Sequence, residues 1–174
     1  MNEAPSKRRG FFIPDKFVNF THFSGVKIED EIRQARFRSD HQKAIVNLMY
    51  TASWLNTRQE TFFKPFGITP SQFNILRILR GQAGKSLTGA EIKERMLERN
   101  SDISRLLERM ARKNYIKRTR CPHDKRATNI TITKTGLSIL NEIDVLIDQT
   151  EKDFFKLNPR EARELSALLD KARG

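Results

Sequence analysis

Residues 101–136, SDISRLLERMARKNYIKRTRCPHDKRATNITITKTG, decide the fold. Apolar side chains recur at helical spacing through the first third of this stretch: Ile103, Leu106, Leu107 and Met110. This spacing predicts an amphipathic helix over about 101–113, and Asn114 follows where a helix C-terminus needs a residue that tolerates positive φ. Strand patterns at 115–119 and 128–133 enclose a turn-rich basic loop, so we expect a β-hairpin after the helix.

Two capped helices precede this stretch. Thr69-Pro70-Ser71-Gln72 combines an N-cap threonine, a proline at the first helical position and the glutamine of a capping box. Thr88-Gly89-Ala90-Glu91 is a second capping box, and its short helix is expected to reach about residue 98. Capped helices joined by tight turns and followed by a basic hairpin are typical of a winged helix-turn-helix lobe.

Helical patterns flank this lobe on both sides. The periodicity from about residue 29 to 63 predicts one helix roughly 50 Å long, which exceeds the core of a small domain, so part of it is expected to pack against another chain. After Lys134 a second long helix is expected, and Asn158-Pro159-Arg160-Glu161 caps a last one. We therefore divide the chain into an irregular extension, a long first helix, a winged lobe and closing helices: residues 1–28, 29–66, 67–134 and 135–174.

The charge of the chain is concentrated in the lobe. The 174 residues include 33 Lys and Arg against 21 Asp and Glu, which gives a formal net charge of +12. Residues 85–126 alone carry thirteen basic and six acidic side chains, a net charge of +7. A charge that served only solubility would be spread more evenly, so this excess indicates a docking face for nucleic acid, an anionic membrane or an acidic protein.

Several classes of protein are excluded. The single cysteine rules out an intrachain disulfide and a four-cysteine zinc site, and His22, His41 and His123 are too far apart for a local metal motif. No apolar run is long enough to span a membrane, and the first residues are not a secretory signal. No nucleophile, base and acid occur at readable spacing, and no glycine-rich phosphate loop occurs. We expect a cytoplasmic protein that is not an enzyme and needs no cofactor.

The helix at 101–113 is the candidate for the major groove, where the first residues of a helix approach the base edges. Ser101 and Ser104 are small enough for close approach, and Arg105 and Arg109 offer paired donors to guanine or phosphate. Asp102 is discordant, because a carboxylate there repels phosphate. It could cap the helix, pair with an arginine or accept from a cytosine amine.

The hairpin tip is the candidate for the minor groove. Arg126 is expected to enter that groove, whose negative potential attracts arginine, and Asp124 could brace the loop by pairing with Arg126 or Arg120. The other basic side chains of the hairpin are expected to bind DNA, the first three at phosphate: Lys117, Arg118, Arg120 and Lys125. The alternative is a solvated turn whose charge is incidental.

The hairpin also carries a family signature. Asp124-Lys125-Arg126, followed by Ile132-Thr133-Lys134-Thr135-Gly136, resembles the wing of the MarR family of bacterial transcription regulators, which reads D-[RK]-R and then L-T-x-x-G. Ser104-Arg105-Leu106-Leu107-Glu108-Arg109-Met110 is similar to the T-R-L-[VL]-[DE]-R-L core of the family's recognition helix. Asn114 stands where the family usually has glycine.

Two upstream motifs extend the resemblance over about residues 40–172. Ile68-Thr69-Pro70-Ser71-Gln72-Phe73 resembles the L-T-x-x-Q-[FW] start of the family's second helix, and Leu87-Thr88 with Glu91 resembles its L-T-x-x-[ED]-L motif. The N-terminal extension is longer than the usual family start, so the resemblance does not cover it.

The resemblance implies a mainly helical fold with a small β-hairpin and a homodimer on a palindromic operator. The first helix and the last two helices of each subunit would form a dimerisation platform, with the two recognition helices about one DNA turn apart. Family members usually repress transcription, and many release DNA when a small phenolic or lipophilic compound, or an oxidant, alters the spacing of the lobes.

Weaker hypotheses about effector binding and thiol reactivity concern three further side chains. Tyr50 and Trp54 lie four residues apart on the first helix and could line an effector pocket, although packing is the simpler interpretation. Cys121 lies among basic wing residues, which lower a thiol pKa and favour reactivity, although an incidental surface cysteine is simpler.

Two other functions stay open at this stage. A winged-helix protein–protein adaptor is the first, because Asp102 and Glu108 place acidic charge on the outer face of the helix at 101–113. An architectural protein that binds DNA without sequence preference is the second, and a low specificity ratio would identify it.

Overall fold

A computed structural model describes residues 26–98, 101–120 and 128–174. The helices and strands are, in chain order, α1 (Ile28–Glu31), α2 (Asp40–Phe63), α3 (Pro70–Arg80), α4 (Gly89–Arg95), α5 (Ile103–Arg112), β1 (Ile116–Arg120), β2 (Thr128–Ile132), α6 (Lys134–Phe154) and α7 (Pro159–Arg173), with a short 3₁₀ helix at Lys64–Phe66. The hairpin tip lies outside the described residues, and so do these side chains singled out above: His22, Cys121, His123, Asp124, Lys125 and Arg126.

The predicted fold class, mainly helical with one β-hairpin, is confirmed. Strands β1 and β2 form a two-stranded antiparallel sheet in which Ile116 is paired with Ile132 and Arg120 with Thr128. Leu87, just before α4, adds a single bridge to this sheet, because its N–H and C=O both bond to Ile130 at 3.0 and 2.8 Å. The wing is therefore joined by backbone bonds to the helices that precede it.

One apolar core lies between the helix-turn-helix and the wing. Its most deeply buried side chains are Ile75, Leu76, Leu79, Ile92, Met110, Ile130 and Leu140. They come from α3, α4, α5, β2 and α6, and Ile116 of β1, which is 2% exposed, belongs to the same cluster. A second, aromatic cluster includes Phe62, Phe63, Ile68 and Ile143, with the rings of Phe63 and Phe73 centred 4.6 Å apart.

The three predicted N-terminal caps are present, and each of them is a capping box. Thr69 and Gln72 cap α3, Thr88 and Glu91 cap α4, and Asn158 and Glu161 cap α7, each pair exchanging side-chain and backbone hydrogen bonds. Asn114 has the positive φ of 57° that its position after α5 predicted. Local spacing was sufficient for these features because each cap is a contact between residues three apart.

The single long helix predicted from residue 29 is wrong, because the chain forms α1 and α2 with a break between them. Arg33 has a positive φ of 53°, which ends the first helix. Helix α2 starts after Ser39, whose Oγ accepts from the N–H of Gln42 at 3.2 Å, while Gln42 Oε1 accepts from the N–H of Arg38 at 2.7 Å. The S-x-x-Q spacing marks this start, and α2 is about 36 Å long instead of 50 Å.

Helix α4 ends earlier than the predicted residue 98. Its last residue is Arg95, and Met96 turns to extended backbone with φ −70° and ψ 143°. This turn places the Met96 side chain in the core, where it is 4% exposed. The N–H of Leu97 then donates to Asn74 Oδ1 at 3.1 Å, which ties the turn to α3.

The first turn of α6 packs directly against the start of the wing. A Cβ at Gly136 would overlap the carbonyl oxygen of Tyr115 and would lie 2.9 Å from Ile132 Cγ1. Only glycine allows the backbones to approach this closely, which explains the glycine in the Thr133–Gly136 motif.

The chain divides into two units, one ending at Tyr50 and the other beginning at Thr51. In the first unit, Glu29 accepts a hydrogen bond from Lys43 Nζ at 2.5 Å, and Glu31 accepts one from Tyr50 Oη at 2.6 Å. These two bonds tie α1 to the first half of α2. Across residues 26–98, 101–120 and 128–174, no helix is both long and apolar enough to cross a bilayer.

Candidate nucleic-acid interface

Helix α5 is amphipathic, and the core fixes its orientation. Leu106, Leu107 and Met110 are buried, with Met110 fully inaccessible. The opposite side carries exposed polar side chains, which we call the outer face of α5: Ser104, Arg105, Glu108, Arg109 and Arg112. Because the apolar stripe is committed to the core, the outer face is the side left to meet a partner.

Asp102 caps α5 and pairs with an arginine. Its Oδ1 accepts from the backbone N–H of Arg105 at 3.2 Å, and its Oδ2 lies 3.0 Å from Arg105 Nε. Two of the three roles left open by the sequence are therefore fulfilled at once. Glu108, the acid of the outer face, lies 3.9 Å from Arg112 Nη2. Both acids that favoured the adaptor interpretation thus face an arginine of their own helix.

The N-terminal end of α5 is held by an acid that sequence reasoning missed. Glu98 Oε2 accepts hydrogen bonds from the hydroxyls of Ser101 and Ser71, each at 2.8 Å. These bonds, the one from Ser101 first, hold the pKa of the Glu98 carboxyl below its usual value, against the opposing effect of burial. Ser71 is 27 positions from Glu98, so no local motif could have revealed the pair.

The C-terminal end of α5 is joined directly to the wing. The carbonyl oxygen of Asn114 accepts a hydrogen bond from Thr133 Oγ1 at 2.6 Å, and the N–H of Thr133 donates to the carbonyl oxygen of Tyr115 at 3.1 Å. The turn after α5 and the end of β2 therefore form one hydrogen-bonded unit. This unit fixes where the hairpin leaves the helix.

Strand β1 is basic and exposed. After buried Ile116, each of its remaining residues is exposed: Lys117, Arg118, Thr119 and Arg120. The strand contacts α5 and adds three exposed cations to the positive charge of the lobe. Ser104, Arg105 and Arg109 are exposed on α5 and the predicted phosphate contacts are exposed on β1, while Ser101 is half-buried and donates to Glu98.

The predicted pocket residues already have contacts in their own units. Tyr50 is half-buried, and its hydrogen bond to the Glu31 carboxylate raises the pKa of the phenol. Trp54 is half-buried, with the guanidinium of Arg58 over its ring, 4.8 Å from the centroid. The packing interpretation accounts for both contacts, and the effector role stays a prediction. His41 is exposed at the start of α2, and no three His, Cys, Asp or Glu side chains of the described ranges cluster as metal ligands would.

An open groove of about 1270 Å³, whose lining does not include Tyr50 or Trp54, lies between the C-terminal part of α2 and the helix-turn-helix. Its apolar lining includes Ile68, Met96 and Leu106. Its charged lining consists of four basic and two acidic side chains: Lys64, Arg109, Arg112, Lys113, Glu60 and Glu98. An apolar floor with a cationic excess suits a small organic anion. Segments distant in sequence form this groove, so sequence spacing gave no signal of it.

The fold and this surface define a winged helix-turn-helix protein. A family model described as MarR family matches residues 66–127, which run from the end of the 3₁₀ helix into the hairpin. The HTH-type transcriptional regulator PapX of Escherichia coli is 28% identical over 82 residues, 47% of this chain and 50% of that protein. The multiple antibiotic resistance protein MarR of Escherichia coli K12 is 28% identical over 88 residues, 51% of this chain and 60% of that protein.

Solved structures agree with the sequence relatives. AbsC, a MarR family transcriptional regulator from Streptomyces coelicolor, shares the fold with a TM-score of 0.70, at 22% identity over 79% of this chain and 95% of that chain. A cysteine-to-serine mutant of MarR from Escherichia coli complexed with operator DNA has a TM-score of 0.62, at 26% identity over 77% of this chain and 99% of that chain. The chain matches the MarR family model over residues 66–127, and the sequence relatives and solved structures support its assignment to that family. It matches between half and two-thirds of the length of the curated relatives named above.

Proposed function

We propose that this protein is a homodimeric regulator that binds a palindromic site in double-stranded DNA and represses transcription. The observation that carries the proposal is the division of α5: its apolar stripe is buried in the core, and Ser104, Arg105 and Arg109 are left exposed beside basic strand β1. Small and guanidinium side chains on one helix face suit the major groove. The operator complex of the related Escherichia coli protein supports the same class of partner.

The basic strand supports a separate, sequence-independent part of binding. Lys117, Arg118 and Arg120 are exposed on β1, and we assign each of them a phosphate contact. Each neutralised phosphate releases counterions, so affinity should fall steeply with salt. Because DNA is in the cytoplasm of a bacterial cell, we also place the protein there.

Dimerisation is supported by apolar side chains that are exposed among the described residues. On α2, Ile45, Leu48 and Met49 are 58%, 49% and 68% exposed, and their spacing puts them on one side of the helix. Helix α7 has no buried residue at all, although Leu165 and Leu169 are half-covered and Leu168 is 63% exposed. An amphipathic helix whose apolar side chains are at most half-covered by the described residues suits an interface with a second copy.

Light scattering coupled to gel filtration tests the dimer with a matched pair of variants. Met49→Glu places a charge in the exposed stripe of α2 and should give a monomer with retained helix content. Thr61→Glu places the same charge on the other side of α2 and should stay dimeric. A monomeric wild type, or a Met49→Glu variant as dimeric as the wild type, would contradict this interface.

Selection of bound genomic fragments at physiological salt tests sequence-specific binding. We expect fragments that share a palindromic motif and bind at least about 1,000-fold more tightly than scrambled duplexes. An architectural protein would bind all fragments alike, and an adaptor would bind all of them weakly. Transcription in vitro from an enriched fragment then tests repression, since transcript should decrease as protein is added.

Ligand response is supported by the groove beside α2. Because Arg109 belongs to both the groove lining and the outer face of α5, an anion bound in the groove would compete with DNA for that side chain. We propose a small aromatic carboxylate or phenolate as the effector class.

Titration of an aromatic carboxylate series into the preformed protein–DNA complex tests this proposal, and the carboxylate should release DNA. Lys64→Gln should raise the carboxylate concentration that is required for release. If no member of the series changes DNA affinity, this part of the proposal is wrong.

A further inference from the structure

The pairing of Asp102 with Arg105 has a consequence for base recognition, which rests on the proposed function. Both carboxylate oxygens of Asp102 bind the same residue: Oδ1 accepts from its backbone N–H and Oδ2 lies 3.0 Å from its Nε. The helix start and the side-chain conformation of Arg105 are therefore fixed by one group. The pair remains accessible, since the Arg105 side chain is 82% exposed and that of Asp102 is 55% exposed.

The pair with Asp102 uses only part of the hydrogen-bond donors of the Arg105 guanidinium. Arginine has five N–H donors in a planar fork, and the pair with Asp102 occupies the one on Nε. The four N–H bonds of the two Nη groups remain to bind another acceptor. A fork held in one orientation also loses less side-chain entropy on binding than a free arginine would.

The charge of the pair favours a base over a phosphate. A carboxylate within 3.0 Å of the guanidinium offsets its charge, which weakens attraction to phosphate and introduces repulsion. Guanine O6 and N7 are neutral acceptors, and their recognition depends on the geometry of two parallel hydrogen bonds. Arg105 is also the third residue of α5, in the first turn that reaches base edges in the major groove.

We propose that Arg105 reads a guanine in each half-site and that Asp102 is the positioning residue that sets this preference. Asp102 then lowers the affinity for DNA and raises the specificity of binding. Its negative charge lowers the affinity for DNA of any sequence, while the oriented fork raises discrimination at one base pair. A helix cap with no role in recognition would not produce these opposite effects.

The test compares wild type with Asp102→Asn and Arg105→Ala in parallel selections from a random-sequence duplex pool. Asparagine keeps the N-cap through its Oδ1 but loses the negative charge and the acceptor for Nε. Glu142→Gln is the control, since it removes an exposed acid of α6 outside the candidate DNA-binding surface. Equal helix content and equal thermal midpoints show that the variants fold alike.

The wild type should select guanine at one symmetric position of each half-site by about 5- to 150-fold over other bases. Arg105→Ala should lose the preference at that position only, and Asp102→Asn should lose most of it. Asp102→Asn should also bind a scrambled duplex more tightly than wild type, with a salt slope steeper by about one. Glu142→Gln should keep the guanine preference.

Two kinds of failure are distinguishable. Suppose that the wild type selects a motif, but Asp102→Asn keeps the full guanine preference or Arg105→Ala loses the preference for a base other than guanine. The inference about the pair is then wrong, and the proposed function stands. If the wild type selects no motif, the proposed function is wrong and the inference is overturned with it.

Discussion

Lys113, at the C-terminal end of α5, donates a hydrogen bond from its Nζ to the carbonyl oxygen of Gly67, 2.6 Å away and 46 positions earlier in the chain. Gly67 has a left-handed φ of 66° and ends the 3₁₀ helix that continues α2. The last turn of the candidate DNA-reading helix is thus attached to the turn that follows α2. A displacement of that turn would move α5.

Replacing Lys113 and replacing Lys117 should have opposite effects, although both lysines are exposed. Lys113→Met removes the bond to Gly67, and the free energy of unfolding should fall by about 1 kcal/mol, whereas the salt slope of DNA binding should not change. Lys117→Met should leave stability unchanged and reduce that slope by about one. Urea denaturation and DNA titrations at four salt concentrations measure both. Equal salt slopes for the two variants would show that the roles of the lysines are misassigned.

Gly136→Ala should strongly destabilise the lobe. The added Cβ would overlap the carbonyl oxygen of Tyr115, which is backbone and cannot rotate away, so we expect a loss of about 3 kcal/mol in the free energy of unfolding. Gly81→Ala is the control: Gly81 has an ordinary helical φ of −62°, and its Cβ would lie 3.5 Å or more from other atoms. That change should stabilise by about 0.4–1 kcal/mol. Similar stabilities of the two variants would contradict the described packing.

Asp144 on α6 should make the stability of the lobe depend on pH. Its carboxylate accepts a hydrogen bond from Arg80 and lies 3.1 Å from Arg77 Nη1, both on α3, and the bond from Arg80 is the main reason that the pKa of Asp144 is lowered. A carboxyl with a folded-state pKa below its unfolded value stabilises at neutral pH, and this stabilisation is lost as the pH falls through the folded-state pKa.

Asp144→Asn should therefore be less stable than wild type by about 1 kcal/mol at pH 7, after allowance for the exposure of the pair, and the difference should shrink below about pH 4. Glu142→Gln removes a neighbouring exposed acid and should show no such convergence. Urea denaturation from pH 3 to pH 7 measures the difference. A gap between Asp144→Asn and wild type that is constant across this range would contradict the assigned role.

Arg126→Ala should weaken operator binding by about 1–3 kcal/mol if the wing arginine reads the minor groove. The loss should be greater on a site flanked by A·T pairs than on one flanked by G·C pairs, because a narrow A·T groove concentrates negative potential. Arg163→Ala, an exposed arginine on α7, is the control. Unchanged operator affinity of the Arg126→Ala variant would contradict the assignment of Arg126 to the minor groove.

Features fixed by short spacing could be predicted from the sequence, and contacts between distant segments could not. The caps at Thr69, Thr88 and Asn158 are contacts between residues three apart, and the buried stripe of α5 repeats every three to four residues. The break before α2 was missed although apolar periodicity lapses over residues 33–43, and although Ser39 and Gln42 have the spacing of a cap. No pattern along the chain links Glu98 to Ser71 or Asp144 to α3.

The candidate site also has features that the sequence predicts and features that it leaves open. The outer face of α5 and the basic strand could be predicted because helix and strand periodicity decide which side chains face outward. The role of Asp102 stayed open in the sequence because a carboxylate at that position can cap, pair or bind a base. Only the positions of its two oxygens around Arg105 distinguish these roles, and they join capping and pairing in one residue.

The most direct test of the account is the operator affinity of Ser104→Glu against that of Ser138→Glu. Ser104 is exposed on the outer face of α5, and Ser138 is exposed on α6. If the outer face enters the major groove, a longer and negative side chain at position 104 should reduce specific affinity by about 100-fold or more, while the same change at position 138 leaves it intact. Full operator affinity of a folded, dimeric Ser104→Glu variant would contradict the central claim.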